Sequence, residues 1–219
     1  MTDAPAVAQP EPEPTWDEDL DEDPDEDLDD GVRLRPYGVG LVVLGALGLL
    51  AAFTLTVDRI KLLQDPSYTP SCNFNPVLSC GSVMVTDQAS VLGFPNPLLG
   101  ILGFSVVVTL GVLLAAGTRV PTWVLGGLAT VSLVAWGFVH WLAFESLYRI
   151  DALCPWCLVV WAVTAPIALW SVLLALRLAV GGRVVEAVWS VRYLVLLAWY
   201  LLVVVLILER FWDYWSTLL

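Results

Sequence analysis

Charge is scarce in this chain, and what there is sits mostly in one place. Only 15% of the 219 residues are Asp, Glu, Lys or Arg, yet the formal net charge is -12. Residues 1–30 hold 14 of the 22 acids and no Lys or Arg, so residues 31–219 keep eight acids against ten bases, a net of +2. Lysine is reduced to Lys61 and histidine to His140. No basic stripe exists, which excludes a nucleic-acid-binding surface. Polar residues are too few for an ordinary soluble globule, which is about half apolar and a quarter charged; here 58% of residues are hydrophobic and the mean hydropathy is +0.77. There is no internal repeat. Nor is there a cleavable signal peptide pattern, because the first apolar stretch follows about 35 polar residues and is long enough to span a bilayer.

What the sequence does contain is long charge-free runs. A spanning helix needs about 20 mostly apolar residues. Gaps between charges give five such spans, near 38–57, 98–116, 122–144, 155–176 and 191–209. The expected fold class is therefore all-α integral membrane, with five transmembrane helices. The fifth has the shortest charge-free run, Tyr193 to Leu208, with Arg192 and Arg210 placed to snorkel at its ends. Phe211, Trp212, Tyr214 and Trp215 beyond it read as an interfacial aromatic belt. With the N-terminus inside, Arg33, Arg35, Arg119, Arg177, Arg183 and Arg192 flank the inner loops, against Arg59, Lys61, Arg149 and Arg210 outside. That bias favours a cytoplasmic N-terminus and an outer C-terminus. Residues 1–35 read as a disordered acidic cytoplasmic tail, too polar and self-repelling to build a core. The 58–97 connection is the one long loop, and structureless loops of that length are usually functional. Five prolines break it up, and Ser82–Leu92 is expected to form a short helix or a re-entrant half-helix.

All four cysteines fall on the outer side of this topology: Cys72 and Cys80 in the long loop, Cys154 and Cys157 where the fourth span begins. That is the compartment in which disulfides persist. Cys154-Pro155-Trp156-Cys157 has the spacing of a dithiol redox motif. Pro155 suits the first helical position, which makes Cys154 the N-cap and sets Cys157 one turn inside on the same face. A helix N-terminus stabilises thiolate. Four cysteines also permit zinc binding, but zinc pairs are usually both closely spaced, whereas seven residues separate Cys72 from Cys80. Two static disulfides remain an alternative for the loop pair, but they leave the C-P-W-C at a helix start unexplained. Thiols at a membrane edge need a lipid-soluble electron acceptor, and a quinone fits. Ionisable residues deep in the spans are nearly absent apart from His140, which argues against an ion-coupled transporter or pump. His140, between Trp136 and Trp141, reads either as a hydrogen-bonded interfacial residue or as a proton relay.

The run Cys72-Asn-Phe-Asn-Pro-Val-Leu-Ser-Cys80-Gly-Ser-Val-Met84, followed by Pro95-Asn-Pro-Leu-Leu-Gly100 and by Cys154-Pro-Trp-Cys157, resembles the vitamin K epoxide reductase family. It resembles most the bacterial members that reoxidise periplasmic disulfide-forming proteins. The resemblance covers about residues 35–215 and leaves out the acidic tail. It implies a four-helix bundle around a quinone with a fifth helix packed beside it. It also implies a relay. Cys72 corresponds to the loop cysteine that exchanges with the partner, Cys80 to the one that bridges transiently to Cys154, and Cys157 to the one next to the quinone. Asn96 corresponds to a donor to a quinone carbonyl, and Thr86 to a hydroxyl residue near the active site. Two positions depart from the animal enzymes: Trp161 stands where they have a quinone-binding Tyr, and Met84 where they have Phe. Both departures bear on epoxide reduction and leave plain quinone reduction untouched.

The expected function is thus a thiol–quinone oxidoreductase of the bacterial cytoplasmic membrane. It would reoxidise a DsbA-like thioredoxin-fold protein and so supply disulfides to exported proteins. Some family members carry a thioredoxin-like domain after the fifth helix; here the chain ends at Leu219, so the partner is expected on a separate chain. The expected site is Cys72, Cys80, Cys154 and Cys157, with Asn96, Trp161, Thr86 and Met84 around the quinone and no metal. The shortage of Lys beside abundant Ala, Val, Leu and Arg points to a GC-rich bacterial genome, which leans to menaquinone over ubiquinone. The alternatives are reduction of vitamin K epoxide in the animal sense and a non-enzymatic scaffold with two static disulfides.

Overall fold

The computed structural model describes residues 34–217; the expectation of a disordered acidic tail lies outside them. The described chain is helical, with no strand longer than an isolated bridge. Five helices are long and apolar enough to cross a membrane: α1 (Leu34–Gln64), α3 (Pro97–Ala115), α4 (Thr122–Glu145), α5 (Pro155–Ala179) and α6 (Arg183–Arg210). Two short helices complete the chain, α2 (Cys80–Met84) in the long loop and α7 (Trp212–Ser216) after α6. The chain is a multi-pass membrane protein.

Local sequence accounts for the helix ends. Pro97 and Pro155 open α3 and α5, where a missing N–H costs nothing. Gly181 and Gly182, at φ of 61° and 99°, reverse the chain between α5 and α6 in a conformation other residues rarely adopt. Several helices run past the charge-free stretches. The first ends at Gln64 rather than near residue 57, and α6 starts at Arg183 rather than near 191. A charge ends an apolar run without ending a helix, since Asp58, Arg59 and Lys61 all keep helical backbone.

The long loop departs from expectation in a similar way. Ser82–Leu92 is neither one helix nor a half-helix. The α2 turn ends at Met84, and a separate 3-10 turn covers Asp87–Ser90. The expected aromatic belt also divides. Trp212 is exposed, whereas Phe211 is buried with Val77, Leu147 and Leu153, and Tyr214 and Trp215 pack on that group.

Helix α1 packs on α3 and α5, α4 packs on α5, and α6 lies against α5. Among the described residues α3 and α4 make little or no direct contact. The α1–α3 contact is made through backbone. A Cβ built at Gly38 would lie 2.5 Å from the Ala115 nitrogen, and one at Gly111 would lie 2.8 Å from the Val42 nitrogen. Helices in lipid gain no hydrophobic drive to associate, so close approach at small residues supplies the attraction. By contrast α6 buries only Leu196 and leaves its apolar surface outward.

The glycine contact sets a clear expectation. Gly111→Ala forces α1 and α3 apart and should cost about 1–3 kcal/mol, the usual range for overpacking. Gly137→Ala, which meets open space, should be neutral or slightly stabilising because Ala is the better helix former. Thermal unfolding midpoints of the two variants in the same detergent check this, and equal midpoints would count against the backbone contact.

Candidate functional site

The site begins with the loop sequence Asn73-Phe-Asn-Pro-Val-Leu-Ser79. Asn75 Oδ1 accepts from the backbone nitrogens of Val77 (3.0 Å) and Leu78 (2.6 Å), and Asn73 Oδ1 accepts from Gly81 N (2.9 Å). The Asn75 bonds form an Asx-type turn, in which a short polar side chain replaces a backbone acceptor, while Asn73 reaches across the loop to the first turn of α2. Ser79 caps α2 by accepting from Ser82 N at 3.2 Å. The folded loop then pairs with the segment before α5: Leu153 N donates to Val77 O at 2.7 Å, and Ser79 N donates to Leu153 O at 2.9 Å. The resulting parallel bridge between Leu78 and Leu153 sets Cys80 beside Cys154.

The segment before α5 is held from its other side as well. The chain leaves α4 through a π-helical turn, Ser146–Ile150, and Asp151 follows at φ of 56°, left-handed and sterically costly outside Gly, Asn and Asp. Arg210 at the end of α6 pairs with the Asp151 carboxylate, and its Nε donates to Leu147 O at 2.9 Å. The fifth membrane helix therefore braces the approach to the cysteine pair.

Cys72 and Cys80 form a disulfide, while Cys154 and Cys157 are free thiols. Cys154 Sγ stands 3.3 Å from Cys80 Sγ. As the C-P-x-C spacing predicts, Cys154 is the N-cap of α5, and its sulfur accepts from Cys157 N at 3.4 Å. Its thiol is held below the ordinary thiol value. The hydrogen bond from the Cys157 thiol is the largest cause, helped by the Cys157 and Trp156 backbone N–H groups, against burial and the negative charge of Asp58. A stabilised thiolate in contact with a disulfide sulfur is the arrangement that thiol–disulfide exchange requires. Among the described residues no group of His, Cys, Asp or Glu has metal-binding geometry.

Beneath the cysteines lies a cavity of about 220 Å³ bordered by α1, α3, α4, α5 and the loop. Cys154, Cys157, Met84, Thr86, Asn96 and Trp161 all line it. Cys72 and Cys80 do not line it; they lie buried above it with Leu55, Met84 and Cys154. Met84 and Trp161 are buried in its wall. The polar side chains of the other two are partly committed to the loop. Thr86 Oγ1 donates to Val83 O at 2.8 Å. Asn96 Nδ2 donates to Gln88 O at 2.7 Å and Oδ1 accepts from Val91 N at 3.2 Å. Asn96 is therefore a turn residue and a cavity residue at once, with one N–H of its amide still free.

Two acids that serve in the sequence only to end spans prove to belong to the site. Asp58 is 4% exposed; Oδ1 accepts from the Tyr68 hydroxyl at 2.9 Å, and Oδ2 is buried without a partner. Glu145 is 3% exposed and lines the cavity, with Gln88 Nε2 3.3 Å from Oε2 and Arg149 Nη1 3.5 Å from Oε1. The available signal was position: each stands where a span meets the outer loop or the cysteine segment. His140 resolves the other way. Its Nε2 accepts from Trp199 Nε1 at 3.0 Å, so Nδ1 carries the proton and donates to Trp136 O at 2.7 Å. Both nitrogens are satisfied, and the residue faces a separate cavity of about 160 Å³ beside α6.

The family model of the vitamin K epoxide reductase family matches residues 39–172, from α1 into the second half of α5, and takes in all four cysteines. A search of curated proteins returned no match.

The charge of Asp58 opposes thiolate at Cys154, so its removal has a defined sign. In Asp58→Asn protein prepared with Cys72–Cys80 oxidised and Cys154 free, the pH midpoint of Cys154 alkylation should move down. Mass spectrometry of the alkylated peptide over a pH series measures it. A midpoint that stays or rises would contradict the electrostatic contact.

Proposed function

The chain belongs to the vitamin K epoxide reductase family, and we propose that it is a thiol–quinone oxidoreductase that reoxidises a DsbA-like, thioredoxin-fold protein. The observation that carries the reading is the contact of Cys154 with Cys80 at 3.3 Å, directly above an apolar cavity that Cys154 and Cys157 line. A formed disulfide beside two free thiols favours exchange over a pair of static bridges.

In this reading the reduced partner attacks Cys72, and the Cys72–Cys80 bond breaks as the partner becomes oxidised. The freed Cys80 thiolate attacks Cys154 of an oxidised Cys154–Cys157 pair, forming a Cys80–Cys154 bridge and releasing Cys157 as a thiol. Cys72 then displaces Cys154 from Cys80. The loop disulfide is restored and Cys154 and Cys157 are left reduced. Their reoxidation releases two electrons and two protons, and a quinone in the cavity takes up two electrons and two protons to become a hydroquinone. Asn96, with its free N–H, and Trp161, Thr86 and Met84 form the quinone's surroundings. Composition leans to menaquinone. Cys72 is 3% exposed, so partner attack requires the 65–79 segment to lift; Phe74, at 69% exposure in that segment, offers the partner an apolar contact. The cysteines face the outside of the bacterial cytoplasmic membrane, with the N-terminus in the cytoplasm and the four helices α1, α3, α4 and α5 around the quinone.

Cys157→Ala separates the steps. The variant cannot form the Cys154–Cys157 bond and should lose quinone-dependent oxidation of partner thiols. Its Cys154 thiolate can exchange only with the loop disulfide, displacing Cys72 from Cys80, so the Cys80–Cys154 bridge should accumulate, mapped by non-reducing proteolysis and mass spectrometry. A variant that still couples partner oxidation to quinone reduction would sink the relay as drawn.

A further inference from the structure

Glu145 is the one carboxylate among the described residues that line the cavity, and a carboxylate that is 3% exposed needs a reason to be there. Its two oxygens face different surroundings. Oε1 meets Arg149, whose side chain is 65% exposed, while Oε2 meets Gln88, itself a cavity residue. Gln88 in turn accepts from Asn96 through its backbone oxygen. One carboxylate thus joins the outer surface to the polar end of an otherwise apolar cavity. The other charged or titratable groups facing that cavity are Arg59 from α1 and Cys154 and Cys157 from α5; Gln88 and Asn96 come from the loop and the start of α3. His140 is excluded, because both of its nitrogens are engaged and it lies on the second cavity.

We propose that Glu145 is the proton-transfer group for quinone reduction, moving protons between the outer surface and the quinone oxygens, with Gln88 as its positioning residue. The inference rests on the thiol–quinone reading above. Formation of the Cys154–Cys157 bond releases two electrons and two protons; the quinone takes up two of each. Protons leave the sulfurs at the cap of α5, whereas they are needed on the quinone oxygens. Glu145 takes up a proton on the side of Arg149, gives it to a quinone oxygen on the side of Gln88, and returns to the carboxylate form. Two such transfers complete the hydroquinone, the two protons released by the Cys154 and Cys157 thiols leave to the outer surface at the α5 cap, and no other oxidant or reductant is consumed.

The test uses the full chain in detergent, menadione and ubiquinone-1 as quinones, and dithiothreitol as reductant. Glu145→Gln keeps an oxygen for Gln88 but cannot carry the proton. It should lower kcat on the order of 100-fold, the range typical of lost general acid–base catalysis, with KM within about threefold. Its pH–rate profile should lack one ionisation present in the wild type. Glu145→Asp should restore that ionisation at a reduced rate. Exchange of the Cys72–Cys80 disulfide with dithiothreitol in the absence of quinone should match wild type in both variants and shows that they are folded. A Glu145→Gln profile of unchanged shape overturns the proposal, as does a change confined to KM or an Asp profile that copies Gln. A wild type that exchanges disulfides but reduces neither quinone overturns the underlying reading instead.

Discussion

Two backbone hydrogen bonds hold the redox end of this protein together. Val77, Ser79 and Leu153 pair across the isolated bridge, and among the described residues no other backbone pairing joins the long loop to the start of α5. Everything chemical depends on it, because Cys80 follows one partner and Cys154 follows the other. The bridge is too short to persist alone. It is buried among Val77, Leu147, Leu153 and Phe211, where water cannot compete for the two bonds. It is also braced by Arg210 across the left-handed turn at Asp151. A helix that otherwise buries almost nothing thus contributes its final residues to the positioning of a thiol.

The bundle beneath is built unevenly. On one side, α1 and α3 meet backbone to backbone at Gly38 and Gly111, which leaves no room for a cavity along that seam. On the other, α3 and α4 stand apart, and side chains from both line the cavity together with α1 and α5. Rigid contact and open contact share one helix, so the tight seam fixes the position of α3 while its other face stays free to border the cavity. Gly100 and Gly103 are on that border and add no bulk to it.

Much of this was legible in the sequence, and the parts that were not share a cause. Apolar runs locate the helices because a bilayer demands length and hydrophobicity. Pro155 and the i, i+3 cysteines locate the cap because that geometry is local. The helix ends are misjudged where an acid is taken as a stop. Asp58 continues α1 although only one of its oxygens is paired, with the Tyr68 hydroxyl from the loop, whereas α4 does end at Glu145, which Gln88 from the loop and Arg149 hold. The bridge from Leu78 to Leu153 joins residues 75 positions apart through backbone atoms, which leave no pattern in side-chain order. The aromatic residues after α6 mislead for a related reason. Phe211 and Trp215 have the composition of an interfacial belt, but they pack on a bridge that is visible only once the chain is folded.

The arrangement also keeps the exchanging thiolate at the edge of the apolar space. Thiol–disulfide exchange passes through a thiolate, and a bare thiolate inside a cavity of hydrocarbon side chains would cost several kcal/mol of desolvation. Cys154 avoids that cost by sitting at the α5 cap, where backbone N–H groups and the Cys157 thiol stabilise its negative form. Cys157, one turn deeper, borders the same cavity. On the proposed reading, thiolate exchange is confined to the cap, while at the quinone the electrons from the dithiol are matched by protons through Glu145, so that the reduced quinone is neutral. The i, i+3 spacing is what makes this division possible: it is the shortest helical step that keeps two sulfurs on one face while moving the second off the cap and toward the cavity.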